Sequence, residues 1–512
     1  MIEGAGEADL AMILERQLGR PARGVVDVSV WCPHGAPAVI VTCPYLDTGE
    51  PFPTTFYLTC PSAVSSVSRE EAGGGVARLR WLAAHDAEVA AVLEGLQAWY
   101  GARRRRLAPP GPHCDGGAVL DAGIGGPRDP TSASCLHAYT ATVLAAIVSG
   151  VELRLAPVKE PGAPASASHT SQSGQGAQVS WVGLLGAAQD LWCQDARCLE
   201  GRPRLARRAV IDVGTNSVRL LVADLPLEGS GEHVRVGAPI PVVRHARVTR
   251  LGEGLVAGGN LSVDAVARTK AAVAEYVAGA RLLGAGRINL VGTSAARGAA
   301  DGAEVIARLG VEVDISAGVV SGEMEARLAL LGATLDVPGD SAVIDVGGGS
   351  TELARLDHSG IPRVRSYECG CVRDTERFLR ADPPVDHERD ALRRYVRGLV
   401  AAEASAFMGA ETLVAVGGTA TTLAALVLGL ERYHPNAVHH TMLSREQIEQ
   451  AIERLASLSP PERAALAVMQ PGRADVIVAG AEILLQAMDI LGYGLVLVSE
   501  RDLLDGFLAV TV

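Results

Sequence analysis

Two aspartates stand at equivalent points of two similar stretches, Asp212 in AVIDVGTNSVRLLVAD from Ala209 and Asp345 in AVIDVGGGSTELARLD from Ala342. Each stretch runs from apolar residues fit for a buried strand, through the aspartate and a glycine turn with small hydroxyl residues, back to apolar alternation. That is the pattern of a β-hairpin with a polar tip. Glycine lets backbone approach an oxyanion, and Gly214, Thr215, Asn216 and Ser217, with Gly347, Gly348, Gly349, Ser350 and Thr351, offer N–H and hydroxyl donors. A carboxylate just before such a turn suits a hydrated divalent cation bridging to the anion, so Asp212, Asp345 and the nearby Glu352 are candidate metal residues. The duplication reads as two like subdomains facing one anion; two tight hairpins without a ligand are the alternative. A third turn, Gly417, Gly418 and Thr419 in AVGGTATTL, ends a strand and opens a helix whose N–H groups suit the same cleft.

These turns need sheets behind them. From Ala209 onward strands and helices alternate, as in an α/β protein. The patterning predicts helices over 262–283, 303–309, 322–332, 386–408, 444–458 and 473–491, and strands over 287–291, 312–315, 342–346, 412–416 and 494–498. The first 155 residues read as a separate α+β unit, with strands within 24–41 and 54–59 and helices over 76–100 and 135–147. Residues 156–178 are too rich in Pro, Ala, Ser, Gly and Gln to pack a core. The expected domains are therefore 1–155, a flexible linker over 156–205 with a short docking helix at 179–191, a first subdomain over 206–335 and a second over 336–512. Separation of the chain near Ser173 is expected to leave residues 200–512 folded.

At 512 residues the chain is too long for one core, and 48% hydrophobic with 20% charged residues is an ordinary globular balance. The net charge of −12 argues against a general nucleic-acid binder. Lysine occurs twice, at Lys159 and Lys270, so any grip on phosphate comes from arginines, amides or metal. The longest apolar stretch, near 140–148, is far short of the ~20 residues of a membrane span, and no basic-then-apolar leader is present, so a cytoplasmic protein with free thiols is expected.

The second part of the chain resembles the exopolyphosphatase and guanosine pentaphosphate phosphatase (Ppx/GppA) family. Beyond the two loops, the resemblance runs through RLGEGL at Arg250, GTSAARGA at Gly292, VVSGEMEARLALLG at Val319, GGTATTLAAL at Gly417 and PGRADVIVAGAEIL at Pro471. It implies an actin-like (ribonuclease H-like) fold of two subdomains with a phosphate cleft between them. The implied activity is release of terminal phosphate from polyphosphate or guanosine pentaphosphate by metal-assisted attack of water, with Mg²⁺ or Mn²⁺ and a homodimer. By the same resemblance Glu325 orients or deprotonates the water and Arg297 reaches the phosphate near the cleavage point; a surface glutamate and a solvated arginine are the plain alternatives. Arg219 and Arg327 read as structural. The chain departs from the family where Leu504, Asp505 and Gly506 stand in place of Arg-Glu-Gly, and where His440 stands in place of glycine. It also stops at Val512, without the helical extension of long family members. A phosphate or alarmone sensor and an actin-like ATPase or kinase are the rival functions.

The first unit resembles an uncharacterised domain of high-GC Gram-positive bacteria, through RQLGRPARGVV at Arg16, CPHGAPAVI at Cys32, PFPTTFYLTCP at Pro51 and CLHAYTA at Cys135. Its cysteines and histidines are numerous enough for a tetrahedral Zn²⁺ site, with Cys32, Cys60, Cys135 and His137 the preferred set, although no pair has CxxC spacing. Buried thiols and ordinary histidines are the alternative. Arg103 to Arg106 form a cationic run, either a catch for polyphosphate or a solvated helix end.

Overall fold

The computed structural model describes residues 7–151, 191–193, 204–228, 235–255, 258–356, 360–470 and 472–510. The expected linker and docking helix lie outside this set, apart from residues 191–193.

Three sheets organise the described residues. The first is a small antiparallel sheet of β1 (Val25–Trp31), β2 (Pro37–Thr42) and β3 (Phe56–Leu58), in that order. Every residue of β2 is buried, because the apolar helix Leu136–Val148 packs on the sheet. The helix expected over 76–100 is two helices, Gly75–His85 and Ala87–Arg106. Asp86 breaks them by accepting from the backbone N–H groups of Glu88 and Val89, the capping role for which aspartate is suited. Within the cationic run Arg104 turns inward and donates to Val119 O at 2.7 Å and Thr55 Oγ1 at 2.7 Å, so the run is not a uniform charged face.

The other two sheets repeat one topology. One contains β4 (Arg204–Val213), β5 (Ser217–Glu228), β6 (Arg235–Val236), β7 (Ile240–Val248), β8 (Arg287–Gly292) and β9 (Ser316–Val319). The other contains β10 (Ser341–Val346), β11 (Thr351–Leu356), β12 (Pro362–Tyr367), β13 (Thr412–Val416), β14 (Met442–Ser444) and β15 (Leu495–Val498). In each, a hairpin (β4–β5, β10–β11) supplies the glycine turn, and a parallel neighbour (β8, β13) follows a helical crossover. Asp212 pairs in register with Val291, and Asp345 with Val416, so the two aspartates hold equivalent places at the ends of equivalent strands.

Most predicted elements stand within a few residues. The strand expected over 312–315 is absent: the helix Gly302–Glu312 continues through part of it, Asp314 turns the chain at φ +53°, and β9 begins at Ser316. Arg281 holds this turn by donating to the carbonyls of Val313 and Asp314. The helix expected over 386–408 stops at Val400, and that over 473–491 starts at Ile477, leaving Arg473 in the preceding turn. His440, in place of the family's glycine, has φ +64°, the left-handed backbone that glycine adopts at least cost.

The two large sheets are joined by crossing helices. Gly322–Ala333 leaves the first sheet and buries Ala326, Leu330 and Ala333 against the second; Leu503–Val510 leaves the second and buries Leu503, Leu504 and Leu508 against the first. Where they cross, a Cβ on Gly332 would lie 1.9 Å from Asp502 O, and one on Gly506 would lie 1.9 Å from Leu328 O, so backbone packs directly on backbone.

The first unit is not held by a tether alone. It shares a hydrophobic core with the first large sheet, including Val30, Leu144, Val273 and Leu283. Arg207, with no side-chain exposure, donates to Trp31 O, Cys32 O and Leu283 O and grips both carboxylate oxygens of Asp224. His245 Nε2 meets Ile147 O at 2.9 Å. A fragment of residues 200–512 would keep the Arg207–Asp224 pair and lose its two carbonyls from β1 and the adjoining turn. Replacement of Arg207 by Met strands Asp224 in a buried site and is expected to cost about 3–5 kcal/mol in urea unfolding of the full chain. A loss under 1 kcal/mol would mean that the joint contributes little.

Candidate active site

The two hairpin turns close in the same way: Gly214 N–H donates to Ser217 O at 3.0 Å, and Gly347 N–H to Ser350 O at 2.9 Å. They approach each other across the lobes. A Cβ on Gly349 would stand 2.7 Å from Ser294 Oγ and 2.8 Å from Thr215 Oγ1. The first turn is braced by the RLGEGL segment, where Arg250 N–H donates to Asn216 O and Gly252 N–H to Thr215 O. The motif therefore supports a loop; in addition Arg250 donates to Asp475 at 2.6 Å, from one lobe to the other.

Of the predicted phosphate donors, Gly214, Thr215, Asn216, Ser217, Gly347, Gly348, Ser350, Gly417, Gly418 and Thr419 line one cleft, with Asp212, Asp345 and Glu325. Thr215 Oγ1, Asn216 Oδ1, Ser294 Oγ and Asp212 Oδ1 are buried without hydrogen-bond partners among the described residues. Buried polar atoms are nearly always satisfied, so this cluster marks where ligand or water belongs. Gly417 has φ +82°, and a Cβ there would come within 2.6 Å of Asp345 Oδ1, so glycine keeps room for the carboxylate as well as permitting the turn. Thr351 is a correction: its hydroxyl donates to Cys369 O at 2.7 Å and holds the loop base instead of facing the cleft.

Four acidic residues are buried around this space. Glu325 sits in the first turn of the Gly322–Ala333 helix, behind the cap that Ser321 makes with Met324 N–H. Burial pushes its carboxyl up to about 7, against the pull of Arg297, whose Nη1 donates to Glu325 Oε2 at 2.8 Å. Burial raises Asp345 to about 6, although Arg219 works against it. Glu352 is held well above the usual carboxylate range by burial, then by the charges of Glu325 and Asp345; Ser366 donates to its Oε1 at 2.7 Å. Asp212 is also raised by burial, against Arg219, which donates to its Oδ2 at 2.8 Å.

Arg297 lies outside the cleft lining. It also donates to Val320 O, and its Nη2 is buried without a partner among the described residues, so it holds Glu325 with one donor unpaired there. Arg219, read from sequence as structural, lines the cleft and links Asp212 to Asp502, to which it donates at 2.6 Å. Asp505, one of the departures from the family, lies in the Leu503–Val510 helix and accepts from Arg244 at 2.5 Å, outside the cleft lining. The cation that sequence reasoning passed over is Arg473. It lines the cleft, donates to Gly418 O at 3.0 Å and Thr422 Oγ1 at 2.7 Å, and has no carboxylate partner among the described residues. Burial lowers its affinity for the proton. The scarcity of lysine and the PGRAD segment were the available clues.

Sets of three metal-ligating side chains with donor atoms within 4.8 Å occur among the described residues at Glu71, Cys135 and His137 and at Asp336, His439 and His440. Asp212, Asp345 and Glu352 do not form such a set. Asp212 Oδ1 and Asp345 still fit a hard cation that keeps most of its water, the usual habit of Mg²⁺. Glu352 stands behind them on Ser366. The four-residue zinc set expected in the first unit is a second correction. Cys32 accepts from Ala36 N–H in the turn after β1, and Cys60 begins the Pro61–Ala72 helix, whereas Glu71 at the far end of that helix is the residue that meets Cys135 and His137.

Two like sheets with paired glycine turns facing one cleft, and a buried carboxylate beside it, are the architecture of an actin-like two-lobed protein. Residues 232–511 match the Ppx/GppA phosphatase family, and residues 28–152 match a family described only as a protein of unknown function (DUF501). The chain belongs to the Ppx/GppA phosphatase family. It is 37% identical over 316 residues to Exopolyphosphatase 2 of Mycobacterium tuberculosis, an alignment covering 59% of this chain and 97% of that protein. Exopolyphosphatase 1 of the same organism is 29% identical over 286 residues, covering 54% of this chain and 79% of its own. The solved structure of an exopolyphosphatase from Cytophaga hutchinsonii, 25% identical, superposes with a TM-score of 0.53 over 59% of this chain and 96% of that chain.

If Arg297 holds Glu325 ionised and Glu325 governs the low-pH limb of the rate profile, Arg297→Met shifts that limb to higher pH, because the cation that opposes protonation of Glu325 is lost. Steady-state rates between pH 5.5 and 9 read this shift; an unmoved midpoint would show that Glu325 does not govern that limb.

Proposed function

We propose that this protein is an exopolyphosphatase that releases terminal orthophosphate from inorganic polyphosphate, with guanosine pentaphosphate as the competing substrate. The observation that carries the proposal is the position of Glu325, a carboxylate with its proton affinity raised to near neutrality, on the edge of a cleft formed by two facing phosphate loops. The terminal phosphoryl group lies between the turns at Gly214–Ser217 and Gly347–Ser350, and Arg473 with the N–H groups at Gly417 to Thr419 takes charge from its oxygens. Glu325 accepts a proton from a water molecule as the water oxygen bonds to phosphorus; the bond from phosphorus to the bridging oxygen breaks, and the shortened chain leaves with those electrons. A group with proton affinity near the working pH suits this exchange. Asp212 and Asp345 would hold a divalent cation such as Mg²⁺ or Mn²⁺, which would supply charge neutralisation. Preorganised donors of this kind are most effective in a site that excludes bulk water.

Phosphate release from long-chain polyphosphate, guanosine pentaphosphate and ATP, each with and without Mg²⁺, tests the assignment. Glu325→Gln is expected to lower kcat on polyphosphate roughly 10²- to 10⁴-fold while binding persists. Turnover of ATP ahead of both polyphosphates would favour an ATPase instead, and binding without turnover a sensor. Loss of a charge-assisted donor predicts that Arg473→Met lowers kcat/KM by about 10²-fold or more; an unchanged kcat/KM would remove Arg473 from the phosphate grip.

A further inference from the structure

A second cluster of ligating groups lies in the first unit, within the residues that match a family of unknown function. Glu71 stands near the end of the Pro61–Ala72 helix, while Cys135 precedes the Leu136–Val148 helix and His137 occupies its first turn. One donor atom of each lies within 4.8 Å of the others. The hydrogen bonds around His137 orient its ring. Nε2 lies 3.2 Å from Val64 O and 3.1 Å from Ser68 Oγ, whereas Nδ1 lies 3.3 Å from Glu71 Oε1. A carbonyl can only accept, so Nε2 carries a proton, and the neutral ring then turns the lone pair of Nδ1 toward a carboxylate. Two acceptors at that distance need a proton or a cation between them. A ring N–H given to a backbone carbonyl is also how proteins orient imidazoles that ligate metal.

Glu71 is fixed independently, since its Oε1 accepts from Leu136 N–H at 2.6 Å, and this leaves Oε2 to ligate. The side chains of His137 and Glu71 are 26% and 28% exposed, enough for an ion and a water to reach them. We propose that Glu71, Cys135 and His137 bind a borderline-soft divalent cation of the Zn²⁺ type, with water as the fourth ligand. Thiolate, imidazole and carboxylate together suit that ion and disfavour Mg²⁺ and Ca²⁺, which take oxygen. The Asp336, His439 and His440 set is a poorer host: it lacks sulfur, and Arg501 donates to Asp336 Oδ2 at 2.6 Å, placing a positive charge where the ion would sit.

The test is titration of the chelator-treated full chain with Co²⁺, followed by near-ultraviolet absorption. Ligation by thiolate gives an intense sulfur-to-cobalt band that oxygen ligands in the phosphatase cleft do not give. The expected result is a band that saturates at one Co²⁺ per chain, is displaced by Zn²⁺, survives Cys114→Ser and disappears in Cys135→Ser. His137→Ala, with circular dichroism to confirm folding, should weaken Co²⁺ binding by at least about tenfold. A missing band in the wild type, a band that survives Cys135→Ser, or undiminished affinity in folded His137→Ala would overturn the proposal and leave an imidazolium–carboxylate contact.

Discussion

An ionic chain under the cleft is the constraint on which the rest depends. Arg219 on β5 links Asp212 to Asp502, Arg244 on β7 links Asp502 to Asp505, and the two last aspartates belong to the segment that returns from the second lobe. Burial opposes the charge on Arg219, yet Asp502, Asp212 and Asp345 together raise its proton affinity. Removal of one partner from such a chain leaves a buried charge without compensation, which costs far more than an exposed pair. The chain fixes the crossing of the two interlobe helices and, through Asp212, the floor of the phosphate site.

Those helices connect architecture to chemistry. Glu325 stands at the start of one, and Gly332 and Gly506 allow the pair to touch backbone to backbone. The carboxylates above them outnumber their cations, so burial and mutual repulsion raise Glu325, Asp345 and Glu352 together. A site in this condition gains from neutralisation, either by protons or by a divalent cation carried in with a phosphate chain. Arg473 is the complementary feature, a half-buried positive charge with no carboxylate partner among the described residues. The charge balance of the cleft is therefore a local property, distinct from the protein's net charge.

The first unit is a separate domain that also packs on the first lobe: Arg207 satisfies carbonyls from both, and apolar residues of the two share one core. No described helix is long and apolar enough to cross a membrane. The joint lies on the side of the first sheet occupied by Val273 and Leu283, whereas the crossing helix Leu503–Val510 packs against Val210 and Leu221 of the same sheet.

By itself the sequence determined the duplicated hairpins, the alternation of strands and helices and the small polar residues of the turns. All of these are local: period, turn chemistry and glycine placement are written in neighbouring residues. The three glycine turns were legible because turn chemistry is local, whereas Glu325 was singled out only through the family resemblance. Tertiary structure decided what depends on distant residues. It paired Arg297 with Glu325, turned Thr351 to Cys369 O, and placed Arg473 beside Gly418 in the turn before the helix that starts at Ile477. It also replaced Cys32 and Cys60 by Glu71 beside Cys135 and His137. Spacing along a chain cannot reveal which end of a helix will meet which loop, because that is set by how apolar faces pack and which buried charges must be satisfied.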